Sequence, residues 1–103
     1  MINLLKKAIR IIVQVAQPER IILFGSRARG DNTTKSDYDL IVLKKDLRKQ
    51  RALTQKIYLS FNNIGVPVDV IVADSKKYET LKKDPYLIYQ EADKHGKIIY
   101  EKN

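Results

Sequence analysis

Two aspartates separated by one residue, Asp37 and Asp39, stand at the start of an apolar run that ends at Leu43. If residues 37–43 form a β-strand, side chains two positions apart lie on one face, so both carboxylates project to the same side as Ile41 and Leu43. Their Cα atoms would be about 7 Å apart, given a rise of ~3.3 Å per residue. This spacing predicts that both carboxylates can reach one divalent cation.

A third carboxylate, Asp69, lies between Val68 and Val70 in another apolar run. Because an isolated buried carboxylate is costly, we expect Asp69 to pair with an arginine such as Arg27 or to bind a metal ion. Mg²⁺ prefers hard oxygen ligands and often keeps water and phosphate oxygens in its remaining positions. Together the three acids favour phosphoryl transfer with two Mg²⁺ ions, one at the nucleophile and one at the leaving pyrophosphate.

A glycine and a serine, Gly25 and Ser26, follow the apolar run that precedes the aspartates. A glycine between a strand and a helix lets backbone N–H groups approach a phosphate, and the start of the helix is electropositive. We expect Ser26 to cap a short helix that Gly30 ends. Arg27 and Arg29 add positive charge, from which we infer phosphate contacts. The pair Gly-Ser alone means little, but together with the aspartates it indicates a nucleotide site.

The elements that position these residues alternate between helix and strand. Apolar spacing predicts an amphipathic helix over 3–16, which ends at Gln17-Pro18. Strands are predicted at 20–24, 37–43, 66–72 and 97–100, and further helices from the Ser26 cap through Arg29, at 76–82, at 85–94 and before Gly65. This alternation predicts an α/β fold with helices packed on one sheet. The short connection between the first two strands favours a mixed sheet.

Several details of these helices are also predicted. Asp74 or Ser75 is expected to cap the helix over 76–82, and Pro85 to occupy the first position of the next helix. The helix before Gly65 is expected to bury Leu53, Ile57, Phe61 and Ile64. The window 44–51 holds five basic residues and one acid. We interpret it as the solvated start of that helix, with contact to a partner or nucleic acid as the alternative.

Composition sets the class of protein. The 103 residues predict one domain, 1–103, and 20 basic against 12 acidic residues leave a net charge of +8, which favours acidic partners. Without cysteine, and with His95 as the one histidine, the chain has no thiolate or multi-histidine zinc site. Because no apolar run reaches the ~18 residues of a membrane span, we expect a soluble, cytoplasmic protein without membrane contact.

The motif resembles a known family. Gly25-Ser26, ten residues and then Asp37-Tyr38-Asp39 are similar to the motif of the DNA polymerase β-like nucleotidyltransferase superfamily. The short chain and the sequence pattern GSRARG…SDYDL resemble those of the minimal nucleotidyltransferase (MNT) family within this superfamily. This resemblance implies a polymerase β-like nucleotidyltransferase fold, a small mixed sheet flanked by helices. It also implies transfer of a nucleoside monophosphate from a nucleoside triphosphate to a hydroxyl.

The resemblance assigns roles to five residues. It implies that Asp37 and Asp39 bind both Mg²⁺ ions, that Asp69 completes the metal site on the nucleophile side, and that Gly25 and Ser26 bind the triphosphate of ATP. It assigns no role to the two arginines.

The resemblance also implies a partner. MNT proteins are often encoded beside a HEPN-domain protein as toxin–antitoxin pairs of type VII-like organisation, in which the MNT protein is the antitoxin and transfers AMP from ATP to a tyrosine of the HEPN ribonuclease. We therefore expect a hetero-oligomer with a HEPN toxin. Two alternatives stay open at this point: a non-catalytic antitoxin that acts by binding alone, and a nucleotidyltransferase that acts on RNA.

Overall fold

The computed structural model describes residues 2–62, 65, 67–85 and 87–103, without the side chains of residues 2–4. In these residues the chain forms, in order, α1 (Ile2–Ala16), β1 (Arg20–Phe24), α2 (Ser26–Arg29), β2 (Tyr38–Lys44), α3 (Gln50–Phe61), β3 (Val68–Asp74), α4 (Ser75–Leu81), α5 (Ile88–His95) and β4 (Lys97–Glu101). None of the helices in this part of the chain is both long and apolar enough to cross a membrane.

The four strands form one mixed sheet in the order β3-β2-β1-β4. Strand β1 pairs antiparallel with β2 and with β4, and β2 pairs parallel with β3. Because only α2 and a polar loop connect β1 to β2, the chain reverses there, and antiparallel pairing follows. The predicted α/β class and the mixed sheet are confirmed.

Helices cover both faces of the sheet, as the alternation of side chains along the strands requires. On one face α1 and α3 bury residues that include Ile21, Leu23, Leu40, Val42, Val70 and Val72. On the other face α4 and α5 bury Ile22, Phe24, Ile41, Leu43 and Ala73 against Tyr78 and Ala92. Asp39 and Asp69 share the second face, because each lies two positions before a residue that packs there.

Strand β3, which carries Asp69, is held at the edge of the sheet by α3. The backbone N–H of Val70 donates to the Tyr58 hydroxyl at 2.7 Å, and the Gln50 side-chain amide donates to the Val72 carbonyl at 2.6 Å. Side chains of α3 thus satisfy backbone groups that an edge strand leaves unpaired. This arrangement fixes the position of the strand on which Asp69 is placed.

Two strands and two helices begin later than the sequence predicts. Strand β2 begins at Tyr38 rather than at residue 37, and β3 runs to Asp74 because it stays paired with β2 to its end. Pro67 precedes β3 and has no N–H to donate. The predicted strand position of Val66 lies outside the described residues, as does the predicted burial of Ile64.

The helical interpretation of window 44–51 is wrong for most of its length. Lys44 still belongs to β2, Asp46 has a positive φ of 54°, and α3 begins only at Gln50. The predicted first helical position of Pro85 is also wrong, because a turn with the Leu87 N–H donating to the Asp84 carbonyl at 3.2 Å precedes α5. The turns that precede α3 and α5 therefore decide where these two helices begin.

The predicted cap at Asp74 is confirmed, and Asp74 also accepts a hydrogen bond from a second segment of the chain. One carboxylate oxygen accepts from the N–H groups of Lys76 and Lys77, each at 3.1 Å, and the other accepts from the Leu47 N–H at 3.1 Å. These donors, Leu47 first and then Lys77, lower the pKa of Asp74. Asp74 therefore ties the start of α4 to the segment that leads into α3.

We expect Asp74→Ala to lower the melting temperature and Asp74→Asn to lower it less, because asparagine can still cap the helix. Since the folded pKa is depressed, the carboxylate stabilises the protein above the unfolded value of about 3.9, and this contribution is lost as pH falls through the folded pKa. Thermal melts across pH test this, with Asp46→Asn as the exposed control. An alanine variant that melts with the wild type would contradict the role of the cap.

Candidate active site

The sheet brings the predicted acids together at one end. Phe24, the last residue of β1, pairs with Asp39, and Asp39 pairs in turn with Asp69 of β3. Adjacent strands are about 4.8 Å apart, so Asp39 and Asp69 are lateral neighbours on one face. Asp37 comes just before β2 at the same end. The structure therefore places the three predicted carboxylates at one corner of the sheet.

Gly25 meets Asp39 closely. A Cβ atom built on Gly25 would overlap the Asp39 Oδ2 atom and lie 3.2 Å from its Cγ atom. Gly25 also has a φ of 73°, a conformation that glycine adopts without the usual steric cost. Only glycine therefore allows the turn after β1 to lie directly against the carboxylate.

The electrostatics of this corner are those of crowded acids. The pKa of Asp39 is raised, first because partial burial disfavours its charged form and then because Asp69 and Asp37 are negative; Arg29 acts in the opposite direction. Among the described residues, none of the three acids forms an ion pair. Their mutual repulsion is what a cation bound between them would relieve.

The expected burial of Asp69 is wrong, and the alternative of an ion pair with Arg27 is not realised. The Asp69 side chain is exposed rather than buried, although both sequence neighbours are apolar. It also forms no ion pair with Arg27, whose Nε and Nη2 groups donate to the Ser36 carbonyl at 3.2 and 3.0 Å. Asp69 therefore lies at the open end of the sheet, where a ligand can reach it.

The short helix α2 follows Gly25 as predicted, and its start differs by one residue. Gly25, not Ser26, occupies the N-cap position, and no side chain caps this helix. The Gly25 carbonyl accepts from the N–H groups of Ala28 and Arg29 at 3.1 Å, and Gly30 ends the helix in the left-handed conformation. The first N–H groups of a helix have no acceptor inside it. Ser26 and its hydroxyl are thus next to donors that a phosphate could use.

Arg27 has a role in the structure that its sequence context did not indicate. Besides its bonds to the Ser36 carbonyl, its guanidinium lies over the Tyr38 ring, 4.3 Å from the ring centroid. Both contacts flank Asp37. Arg27 therefore holds the loop that presents Asp37, and its contact with phosphate stays a prediction.

Arg29 connects α2 to a distant helix. Its Nη1 group lies 2.7 Å from the Glu91 carboxylate of α5, and its Nε group lies 3.2 Å from that of Asp31. Hydrogen bonds to Glu91, first, and to Asp31 raise the pKa of Arg29. Glu91 is 62 residues further along the chain. It was not identified from the sequence, because no local pattern links it to the motif.

A small cavity opens beside the paired acids. It has a volume of about 270 Å³ and is lined by Phe24, Asp39, Asp69, Val70, Ile71 and Ile88. Ile88, the first residue of α5, was not singled out from the sequence. Its position at the site could not be found by spacing, because α5 packs on the sheet through tertiary contacts alone.

The residues fit a divalent cation that a substrate completes. No group of three or more histidine, cysteine, aspartate or glutamate side chains in the described part of the chain is arranged to hold a metal ion by itself. Mg²⁺ commonly binds one or two carboxylates and takes its remaining ligands from water and substrate phosphates. Asp39 and Asp69 supply such a pair, and Asp37 lies near enough to raise the pKa of Asp39. Two ions and three protein ligands stay a prediction.

The comparison with known families decides the class of this site. Residues 6–103 match the family described as "Polymerase beta, Nucleotidyltransferase". The chain belongs to this family. It is a nucleotidyltransferase, as the Gly-Ser and Asp-x-Asp motif predicted.

Two relatives of this nucleotidyltransferase come from Methanocaldococcus jannaschii. "Putative protein adenylyltransferase MJ0604" is 31% identical over 83 residues, which cover 80% of this chain and 78% of that protein. "Putative protein adenylyltransferase MJ0141" is 33% identical over 64 residues, which cover 62% of this chain and 64% of that protein.

Solved structures support the fold. A chain described as "a putative nucleotidyltransferase from Sulfolobus solfataricus" superposes with a TM-score of 0.66 at 23% identity, over 99% of this chain and 81% of that one. A chain from the crystal structure of "the toxin-antitoxin with AMP-PNP" superposes with a TM-score of 0.58 at 22% identity, over 95% of this chain and 74% of that one. The predicted polymerase β-like fold is confirmed.

Proposed function

We propose that this nucleotidyltransferase transfers AMP from ATP to a tyrosine hydroxyl of a partner protein, a HEPN-domain toxin, for which it serves as antitoxin. The observation that carries the transferase chemistry is the contact of the Gly25 turn with Asp39, itself paired with Asp69. The protein acceptor is supported by the names of the two relatives, and a toxin partner by the toxin–antitoxin neighbour.

Each site residue has a defined task in this proposal. The triphosphate of ATP lies at the turn formed by Gly25 and Ser26, where backbone N–H groups are available. Asp37, Asp39 and Asp69 hold Mg²⁺ together with the phosphate oxygens. When bound, Mg²⁺ supplies a Lewis acid that lowers the pKa of the acceptor hydroxyl and stabilises charge on the phosphate.

The reaction is an in-line displacement at the α-phosphorus of ATP. The phenol oxygen forms a bond to that phosphorus, the bond to the bridging oxygen breaks, and pyrophosphate leaves with the electron pair. The phenol proton is released to water. Positioning and charge stabilisation supply most of the catalysis in such transfers.

The net charge of +8 agrees with an acidic partner surface, since charge of this size speeds encounter with opposite charge and makes association sensitive to salt. Binding of RNA would be favoured by aromatic side chains grouped with basic ones. The basic window 44–51 contains no aromatic residue. A protein acceptor is therefore the better proposal.

Co-expression with the protein of the neighbouring gene tests this proposal. We expect a stable complex, and a mass gain of one or more AMP units on a tyrosine of the partner in intact-mass and fragment spectra. The Asp39→Asn variant should still bind the partner and add no mass. If the wild type protects cells without adding mass and Asp39→Asn protects equally, binding alone explains the antitoxin effect. Adenylate found on RNA instead would make RNA the acceptor.

A further inference from the structure

The mouth of the acidic corner carries an exposed apolar side chain. Ile88 is 45% exposed and lines the cavity that also contains Asp39 and Asp69. Single apolar residues on a surface are ordinary. An apolar wall directly beside two carboxylates has a more specific meaning, because it creates a place for a group that is apolar on one side and polar at its tip.

The order of the strands separates the two ends of this site. The turn at Gly25 ends β1, Asp39 lies on β2 and Asp69 lies on β3. A donor whose phosphates occupy the Gly25 turn therefore leaves the Asp69 side to the acceptor. Ile88 lines a cavity that spans all three strands, with Phe24 on β1, Asp39 on β2, and Asp69, Val70 and Ile71 on β3. Three of these five neighbours belong to β3, which is the acceptor side.

Ile88 is also presented by a firmly attached helix. Glu91, one turn further along α5, lies 2.7 Å from Arg29, and the Tyr89 ring packs edge-on against the Tyr78 ring with centroids 5.6 Å apart. Gly96 at the end of α5 approaches Ile22 so closely that a Cβ atom there would lie 2.7 Å from an Ile22 methyl carbon. These contacts keep α5 in place on β1.

We propose that Ile88 is the residue that selects the acceptor: its side chain contacts the ring of a phenolic acceptor whose hydroxyl points to Asp69. This inference rests on the proposed function and names the group that recognises its acceptor class. A tyrosine side chain offers an apolar ring with a polar tip, which matches an isoleucine beside a carboxylate. A serine hydroxyl has no ring to place there, and a ribose hydroxyl brings charged phosphates to an apolar wall.

The test compares two small acceptors, N-acetyl-tyrosinamide and N-acetyl-serinamide, with ATP and Mg²⁺, and measures the AMP adduct by mass spectrometry. We expect the wild type to prefer the tyrosine compound. Ile88→Ala should lower kcat/KM for that compound at least about tenfold, the scale of losing one or two apolar carbon contacts in a pocket. Its affinity for ATP with Mg²⁺, measured by calorimetry, should not change, and Ile88→Leu should keep most of the activity.

A matched control and a binding measurement complete the test. Ile98 of β4 is 55% exposed and lies outside the cavity, so Ile98→Ala should leave both acceptors unaffected. In a methyl-labelled protein with a non-hydrolysable ATP analogue and Mg²⁺, the Ile88 methyl signals should shift when N-acetyl-tyrosinamide is added. The serine compound should leave them unchanged. This readout does not depend on turnover.

The outcomes separate this inference from the proposed function. Transfer to the tyrosine compound that Ile88→Ala leaves unchanged overturns the inference alone. A loss of ATP affinity in Ile88→Ala overturns it too, because Ile88 would then contact the nucleotide. No transfer and no methyl shift with the tyrosine compound also overturn it, whereas an AMP adduct on the co-expressed partner would keep the proposed function. Absence of adduct on that partner overturns the proposed function itself.

Discussion

Asp39→Asn is expected to abolish nucleotide transfer while leaving the protein at least as stable as the wild type. Asp39 lies between the Gly25 turn and Asp69, so it is the acid best placed to hold a cation against phosphate. Asparagine keeps the shape and removes the charge. We expect turnover to fall on the order of a hundredfold or more, the scale of losing one preorganised electrostatic contact.

The stability of this variant follows from the raised pKa of Asp39. A carboxyl whose folded pKa lies above its unfolded value holds its proton more tightly in the folded state. Its ionisation therefore destabilises the fold as pH rises from about 3.9 through the folded pKa. The asparagine variant escapes this loss. In the absence of metal, its advantage in melting temperature should be present near neutral pH and vanish as pH falls to about 3.9.

Thermal melts at several pH values, without metal and with a chelator, check the prediction together with turnover. Asp46→Asn is the matched control, since Asp46 is exposed and follows the opposite end of β2. The control should melt and turn over like the wild type. A clear loss of melting temperature in Asp39→Asn at neutral pH would identify Asp39 as structural, and the assignment of the active site would fail.

The parts of the fold that local chemistry decides could be predicted closely. The bounds of β1 and the end of α2 agree with the structure because Pro18 and Gly25 limit the strand and Gly30 ends the helix. The starts of α3 and α5 were missed because they depend on turns at Asp46 and Asp84. Polar composition indicates that a turn is present without saying where the next helix begins.

Some residues of the candidate site could also be predicted from local sequence, and others could not. Asp37 and Asp39 could be placed together because Asp37 directly precedes the strand that carries Asp39, and the Gly-Ser turn could be placed because it follows β1 directly. The exposure of Asp69 could not be predicted, because burial at the start of a strand depends on which helix covers that end of the sheet. Glu91 and Ile88 reach the site only through the packing of α5, which no spacing in the sequence records.

Gly25→Ala is expected to disturb the fold and the active site together. The backbone at Gly25 has φ 73° and ψ −158°, a combination that residues with a Cβ atom rarely adopt and that costs them roughly 1–3 kcal/mol. The new methyl group would also overlap the Asp39 carboxylate. Either the turn after β1 or the carboxylate must move. We therefore expect a loss of stability within or above that range and a loss of transfer comparable to that of Asp39→Asn.

A second glycine separates the two causes. Gly30 also has a positive φ, 89°, but a Cβ atom there meets nothing within 4 Å, so Gly30→Ala carries the backbone strain without the overlap. We expect Gly30→Ala to melt earlier than the wild type and keep a measurable rate of transfer. In the double variant Gly25→Ala with Asp39→Ala the carboxylate is gone, so Gly25→Ala should destabilise the Asp39→Ala protein less than it destabilises the wild type. Chemical denaturation of the wild type, Gly25→Ala, Asp39→Ala and the double variant measures this coupling. If the losses simply add, the close contact of Gly25 with Asp39 has no energetic consequence, and the turn requires glycine for its backbone alone.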